Sequence, residues 1–340
     1  MGFDTKFTLD SQKCVGCGLC VKVCEGLMLT IGEDHKPHMA DSEAWNGRGC
    51  WGCQHCLAVC PNGAISIWDK HPEDSLLPPG PEAADTLAAL MVNRRSHRRY
   101  LDRNVDPQLV EKILRLISNL PTGGNRQALE YTVINDKEYL KQVMAICYKK
   151  MEELDQKGIY PFDTGKDFYD FLKKSEEDVR PNDLFLCSAP NLFIAHEEVP
   201  ENSCWNHTKV FECGVASAYF DLLCAANGLG AVMLSYFVGF LNNAPEMWEL
   251  FGIPKNHCVA AVVGFGYPEL HYSRGVQREN TCIIDMLSRD GLVRVSGRQG
   301  GHVAPNEHLD EHPDAQFYRS QNCCCSVPDE TLACPQGSML

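Results

Sequence analysis

Eight cysteines in two short runs carry the strongest chemical signal in the sequence: Cys14, Cys17, Cys20 and Cys24, then Cys50, Cys53, Cys56 and Cys60. Both runs have the spacing C-x2-C-x2-C-x3-C, and Pro61 follows the second. Three thiolates in a tight loop can hold three corners of a cubane iron-sulfur cluster, while the fourth cysteine crosses to a neighbouring cluster. The expected ligand sets for two [4Fe-4S] clusters are therefore Cys14, Cys17, Cys20 with Cys60, and Cys50, Cys53, Cys56 with Cys24. Gly16, Gly18 and Gly52 suit backbone that curls close around inorganic sulfide. Zinc accounts for paired C-x2-C knuckles but needs neither the third cysteine nor the fourth at these offsets. Glu25 rather than proline follows Cys24, which lowers local rigidity and leaves the ligand count unchanged. Gly47, Arg48, Gly49 and Trp51 make an unusual approach to the second run, where Trp51 could shield a cluster or fill a small core.

A second chemical signal is Arg94, Arg95, Ser96, His97, Arg98 and Arg99, a basic cluster in an acidic chain. Arginine forks and a serine hydroxyl could clamp one phosphate dianion, although cations at a helix C-terminus also complement its dipole. The turn of Thr122, Gly123, Gly124 and Asn125 could present donors to a ligand, or be only a turn.

The 340 residues allow two domains, and 44% hydrophobic content allows a substantial core. The formal charge, 31 basic minus 45 acidic residues, is -14. That balance argues against a general nucleic-acid or anionic-membrane binder. Nineteen cysteines would suit a disulfide scaffold only in a small secreted chain. The first ten residues lack the basic and apolar regions of a signal peptide, and Lys6 stands where myristoylation needs Ser or Thr. No apolar run approaches the roughly 20 residues of a membrane span. The expectation is a soluble protein of a reducing, anaerobic cytoplasm.

Short strands are expected over 7–10, 28–31 and 65–68, with a long polar loop over 31–49. A proline-rich, acidic stretch reads as a linker, giving domains at 1–70 and 85–284, a linker at 71–84 and an extension at 285–340. A helix over 85–94 should deliver the arginines. Asp106 as N-cap and Pro107 at the first position open another, with Leu109, Val110, Ile113, Leu116, Ile117 and Leu120 facing the core. A strand over 129–134, a helix over 139–154 and a strand over 191–195 follow. A long apolar helix over 208–226 is expected to bury Val215, Ala216, Tyr219, Leu222, Leu223 and Ala226, and to stop at Asn227 and Gly228. Strands over 231–236 and 258–263 flank a short helix over 246–251. Residues 156–183 contain Tyr160, Phe162, Phe168, Tyr169 and Phe171, consistent with a lid or with plain packing. Neither Gly228-Leu-Gly230 nor Gly264-Phe-Gly266 is a dinucleotide fingerprint, because the first precedes a strand and the second runs into proline.

Over about residues 5–70 the chain resembles bacterial two-cluster ferredoxins, and over about 84–280 it resembles the nitroreductase family of FMN flavoproteins. The order is similar to ferredoxin-nitroreductase fusions of anaerobes. The resemblance implies an α+β fold: a ferredoxin-like module, then a flavin domain with a central antiparallel or mixed sheet surrounded by helices. Arg94-Arg-Ser-His-Arg98 matches the family's phosphate motif, which implies that Arg94, Ser96 and Arg98 grip the FMN phosphate. Pro121-Thr-Gly-Gly-Asn-Arg-Gln127 matches P-S-x-x-N-x-Q and implies that Thr122, Gly123 and Asn125 lie against the ribityl chain and ring, with Gln127 close by. Gly228 and Gly230 match its G-L-G turn, which places Met233, Leu234 and Ser235 near the flavin N5. Gly266-Tyr-Pro268 resembles the closing strand, after which Arg274 or Arg278 would complete the phosphate site. Gly124, Arg126 and Ser235-Tyr236-Phe237 depart from the usual residues. The family further implies an intertwined homodimer with flavins at its interface and the helix from Thr208 at its centre.

Two clusters fused to a flavin form a wire: each cubane passes one electron, and FMN delivers two to a small acceptor. A nitroaromatic, quinone or activated alkene is the expected acceptor, with ferredoxin or another low-potential protein as donor. Rival readings are the reverse flow, from an organic substrate to ferredoxin, and a non-catalytic electron-transfer or redox-sensing subunit. Proton-donor candidates are His207, Lys209 and Tyr236, with His196 and Tyr267 beside them. His97 is expected to support the phosphate electrostatically. The tail contributes His302, His308, His312, Cys323, Cys324, Cys325 and Cys334, which could bind metal or wrap a surface or a dimer.

Overall fold

Two small antiparallel ladders frame the cysteine runs in the computed structural model of the chain. Strand β1 (Thr8–Leu9) pairs with β4 (Ile65–Ser66), and β2 (Leu29–Ile31) pairs with β3 (Pro37–Met39). The structure describes residues 5–40, 49–160, 166–167, 170, 185–199, 206–278, 282, 284–289 and 291–296. Gly47, Arg48, Phe162, Phe168, Tyr169, Phe171 and the His and Cys residues of the tail lie outside these. The polar stretch after Ile31 is therefore not wholly loop. Gly32 donates to the Lys36 carbonyl and Asp34 accepts from Lys36 N, closing a turn that carries His35 at φ 60° into β3.

The two cysteine runs repeat one backbone design. Gly16 and Gly52 have φ of 69° and 63°. One residue past Cys17 and Cys53, Gly18 at 72° and Gln54 at 59° precede the single-turn helices α1 (Leu19–Lys22) and α2 (His55–Ala58). These helices turn Cys20 and Cys56 inward. Glycine adopts that conformation freely, whereas a side chain at Gln54 meets its own carbonyl.

Past an exposed 71–81 segment, α3 (Glu82–Asn93) leads to the arginine cluster. Helix α4 (Pro107–Ile117) begins as expected, with the Asp106 side chain accepting from Gln108 N. Its core residues are Val110, Ile113 and Ile117, with Leu120 just beyond, whereas Leu116 is 43% exposed. The inward stripe is narrower than the apolar residues alone suggest.

A four-stranded antiparallel sheet, in the order β5 (Glu130–Ile134), β6 (Asn191–Glu198), β8 (His257–Gly266), β7 (Gly230–Met233), forms the centre of the larger domain. Ser96 adds a parallel bridge to Ala231, which makes the sheet mixed at that edge. Strand alternation sends Phe193 and Ala195 to one face and Leu192 and Ile194 to the other, so β6 is buried on both. On the first face lies α6 (Asn206–Ala226), its Phe220 stacked on Phe193 with centroids 4.3 Å apart. The second face is covered by α5 (Lys137–Gln156) and α7 (Ser235–Asn243).

Two further expectations are corrected here. The buried face of α6 is Glu212, Cys213, Ala216, Ser217, Phe220, Asp221 and Cys224, while Tyr219 and Ala226 are exposed. Strand β7 ends at Met233, and Ser235 and Tyr236 open a helix, because Phe237, Phe240 and Leu241 recur at the helical interval and seal the core. The described residues up to Arg274 form one compact unit and those from Gly275 another. Within the latter, β9 (Ile284–Ser288) and β10 (Gly291–Ser296) form a hairpin that the sequence reading did not anticipate.

Gln54→Gly should relieve the αL strain and raise stability by about 1 kcal/mol. Urea denaturation of the cluster-loaded chain measures it.

Candidate functional site

The eight cysteines of the two runs divide four and four around two small cavities. Cys14, Cys17, Cys20 and Cys60 line one, and Cys24, Cys50, Cys53 and Cys56 line the other. Backbone N–H groups point at two of the sulfurs: Met28 N lies 3.3 Å from Cys24 Sγ and Ala64 N 3.3 Å from Cys60 Sγ. Such donors favour thiolate, so this donor set fits iron-sulfur ligation. Burial pushes the Cys20 thiol up and the Cys56 thiol up to about 11, and coordination must therefore displace protons.

The arginine cluster faces a cavity of 580 Å³ lined in part by Arg94, Arg95, His97, Asp221, His271 and Tyr272. Arg94 is ion-paired with Asp221 at 2.9 Å. Burial raises the Asp221 carboxyl, and the neighbouring Arg94 opposes that shift. Arg95 was not singled out by the motif, yet it is the buried member. One of its terminal nitrogens donates to the Val92 and Arg94 carbonyls, while Nε and Nη2 are buried without a hydrogen-bond partner. A cavity-lining arginine with unpaired guanidinium donors fits an anionic group such as a phosphate. The Arg98 guanidinium is exposed and lies 3.4 Å from the Ser96 carbonyl.

His97 has its pKa lowered by burial and by His271, Arg94 and Arg95. Its ring lies directly on Gly230. A Cβ at Gly230 would sit 2.5 Å from His97 Cγ, which is why glycine stands at that position. Gly228, at φ 72°, turns the chain out of α6. At the end of β7 Met233 is exposed, and beyond it Ser235 is exposed while Leu234 is buried, its N–H bonded to Val262 O.

The turn after Pro121 is anchored at the other half of α6. Gly123 N donates to Glu212 Oε1 at 2.7 Å, and Gln127 N donates to Thr122 Oγ1. Gly124, Asn125 and Gln127 all have positive φ, which explains glycine at 124. Beneath the turn, Glu197 and Glu212 are buried, with Lys209 Nζ 2.7 Å from Glu197 and Arg126 3.8 Å and 3.6 Å from the two carboxylates. The sequence pattern gave no sign of these acids, because their partners Lys209 and Gly123 lie 12 and 89 residues away in the chain. Asn125 Nδ2 donates to the Trp51 carbonyl at 2.8 Å, joining this turn to the second cysteine run.

The remaining candidates are dispersed. Lys209 is committed to its buried ion pair, His207 is exposed in the first turn of α6, and Tyr236 is on α7. Tyr267 lies under Arg103 at 3.8 Å. Arg274 is exposed, and Arg278 is exposed in the second unit. His196 is buried, its Nδ1 2.8 Å from His257 Nδ1 and its Nε2 3.0 Å from Thr132 Oγ1. With Glu130 these histidines form a group capable of holding a metal, but their direct hydrogen bond requires one ring to donate and the other to accept, as neutral rings do.

Residues 91–267, just over half of the chain, match the nitroreductase family, and residues 13–64 match a 4Fe-4S dicluster domain. A protein of Archaeoglobus fulgidus named as an NADH dehydrogenase/NAD(P)H nitroreductase is 28% identical over 183 residues, 53% of this chain and 84% of that one. A Methanothermobacter thermautotrophicus protein of the same name is 26% identical over 184 residues, 54% of this chain and 78% of that one. Among solved structures, a Bacteroides fragilis nitroreductase with bound FMN is 20% identical, covering 58% of this chain and 96% of its own, with a TM-score of 0.43.

Burial holds the His196 pKa down at about 4, below its unfolded value near 6.5. The stabilisation from this neutral ring is present above pH 6.5 and is lost as pH falls toward 4. Stability should drop by on the order of 2 kcal/mol between pH 7 and pH 5 from this ring. His196→Gln should flatten that part of the slope in urea titrations.

Proposed function

From the premise that the chain belongs to the nitroreductase family and carries a 4Fe-4S dicluster domain, we propose that it passes electrons through two [4Fe-4S] clusters to FMN and on to a small electrophilic acceptor. The chain is an oxidoreductase of the FMN-dependent nitroreductase type. The observation that carries the flavin assignment is Arg95, a residue of the basic cavity's lining whose Nε and Nη2 are buried without a hydrogen-bond partner. When bound, FMN supplies the exchange between one-electron and two-electron chemistry.

The residues of the chain have distinct tasks in this reading. Arg95, with Ser96 beside it, holds the phosphate; Asp221 orients Arg94; and the His97 ring and Gly230 shape the wall. The turn of Thr122, Gly123 and Asn125 lies against the ring system, with Glu212 fixing its position. Cys14, Cys17, Cys20 and Cys60 hold one cluster, and Cys24, Cys50, Cys53 and Cys56 the other. Acceptors in keeping with the reading are nitroaromatics, quinones and activated alkenes. A low-potential one-electron carrier of the ferredoxin class is the donor. No helix among the described residues is long and apolar enough to cross a membrane.

The reading includes a homodimer. Gly123 contacts α6 at Glu212 and Arg94 contacts it at Asp221. Nine residues of helix separate these points by about 14 Å. A second copy could bring its own turn to the cavity of the first. Val210, Phe211 and Tyr219, which are 40%, 68% and 39% exposed on α6, offer an apolar surface for it, as do Leu87, Met91 and Val92 on α3.

Protein reduced anaerobically with dithionite should be reoxidised by at least one of the three acceptor classes, followed by the return of flavin absorbance. If flavin stays bound and every acceptor leaves it reduced, the substrate class is wrong. Phe211→Glu should lower the mass in light scattering to that of a single chain and weaken FMN retention by about tenfold or more, the effect of burying a charge in such a surface. An unchanged mass would remove this surface from the dimer.

A further inference from the structure

We propose that Cys24, Cys50, Cys53 and Cys56 form the flavin-proximal cluster site, seated by the hydrogen bond from Asn125 to the Trp51 carbonyl, and that electrons come in through Cys14, Cys17, Cys20 and Cys60. This inference rests on the iron-sulfur and flavin assignments above and adds an order to them.

Trp51 lies between Cys50 and Cys53 in the chain and lines the second cysteine cavity. Its carbonyl accepts from Asn125 Nδ2 at 2.8 Å, across 74 residues of sequence. Both ends of that bond are held. Asn125 Oδ1 accepts from Gln127 Nε2 at 3.4 Å, and Asn125 N donates to Thr122 O at 3.0 Å, which fixes the turn and directs the amide nitrogen at Trp51. On the other side, Trp51 packs over the segment that follows Cys24. A Cβ at Gly26 would come 3.8 Å from Trp51 Cδ1 and 3.3 Å from Gly49 O. The residue that touches the flavin-site turn is therefore in place against both segments that supply the second cysteine group. One residue of backbone, Trp51, and one hydrogen bond connect Cys50 to Asn125.

The first group faces outward instead. Cys17 is exposed, and Val15 and Leu19 beside it are 71% and 39% exposed, which gives an apolar rim where a donor protein can bring its own redox centre close. None of Cys24, Cys50, Cys53 and Cys56 is exposed. One group is thus open to a partner and the other is turned to the site. In each passage a one-electron donor is oxidised, and the outer and then the inner iron centre is reduced and reoxidised in turn. Two passages, with two protons taken from water, reduce one flavin.

Asn125→Asp tests the order in the full chain, loaded and handled without oxygen. The variant places a carboxylate against the Trp51 carbonyl. Potentiometric titration should show the cluster whose signal changes in Cys53→Ser become harder to reduce, while the cluster whose signal changes in Cys17→Ser keeps its midpoint. Amide exchange over residues 50–57 should rise about fivefold, the loss of one hydrogen bond, with residues 14–22 unchanged. Asn125→Gly, which accepts the φ of 52° at this position, should give the same rise in exchange without adding charge. A shift confined to the Cys17 cluster, or unmoved exchange in both variants, would overturn the proposal. Absence of FMN from the unmodified chain would overturn the functional reading beneath it; bound FMN with unmoved exchange and potentials would overturn the proposal alone.

Discussion

Two buried carboxylates on one helix set the geometry of the flavin domain. Glu212 receives the Gly123 N–H, and Asp221, nine residues further along α6, pairs with Arg94. Helix α6 is itself pinned to the sheet by Phe220 stacked on Phe193. A carboxylate buried without a partner is strongly unfavourable, so each acid specifies where its loop must dock. The arginine cluster and the 121–127 turn, two loops with little regular structure of their own, thereby acquire fixed positions at separate points along a rigid rod. Glu197, Lys209 and Arg126 complete the charge balance below the turn.

The cysteine module achieves the same fixity by a different route. It has few buried side chains, and its conformation is held by repeated left-handed residues and by N–H groups directed at sulfur. Its buried thiols resist ionisation, with Cys56 raised to about 11, so metal coordination and the folded conformation are coupled. The hydrogen bond between Trp51 and Asn125 makes the position of this module depend on the turn that Glu212 anchors. Cluster ligation, turn conformation and the α6 anchor form one chain of dependence.

Much of this was legible in the sequence where a residue type has a single physical use. The cysteine spacing, the Asp106-Pro107 helix start and the glycines of Gly228-Leu-Gly230 are of that kind. The long helix was visible, but its buried face was not. Apolar count favoured Tyr219 and Ala226, whereas the core took Phe220 and Cys224 together with the acids Glu212 and Asp221. A buried acid cannot be recognised without its distant partner. Ser235 and Tyr236 were expected to end a strand over 231–236, and only the spacing of Phe237, Phe240 and Leu241 reveals the helix. Burial, which a run of arginines does not reveal, sets Arg95 apart from Arg94 and Arg98.

Iron, acid-labile sulfide and FMN per chain, determined together on protein purified without oxygen, test the central claim most directly. The account predicts about eight irons, about eight sulfides and about one FMN. Iron and sulfide at that level with no flavin would contradict the role given to Arg95 and its cavity, and zinc in place of iron and sulfide would contradict the role given to the cysteine runs.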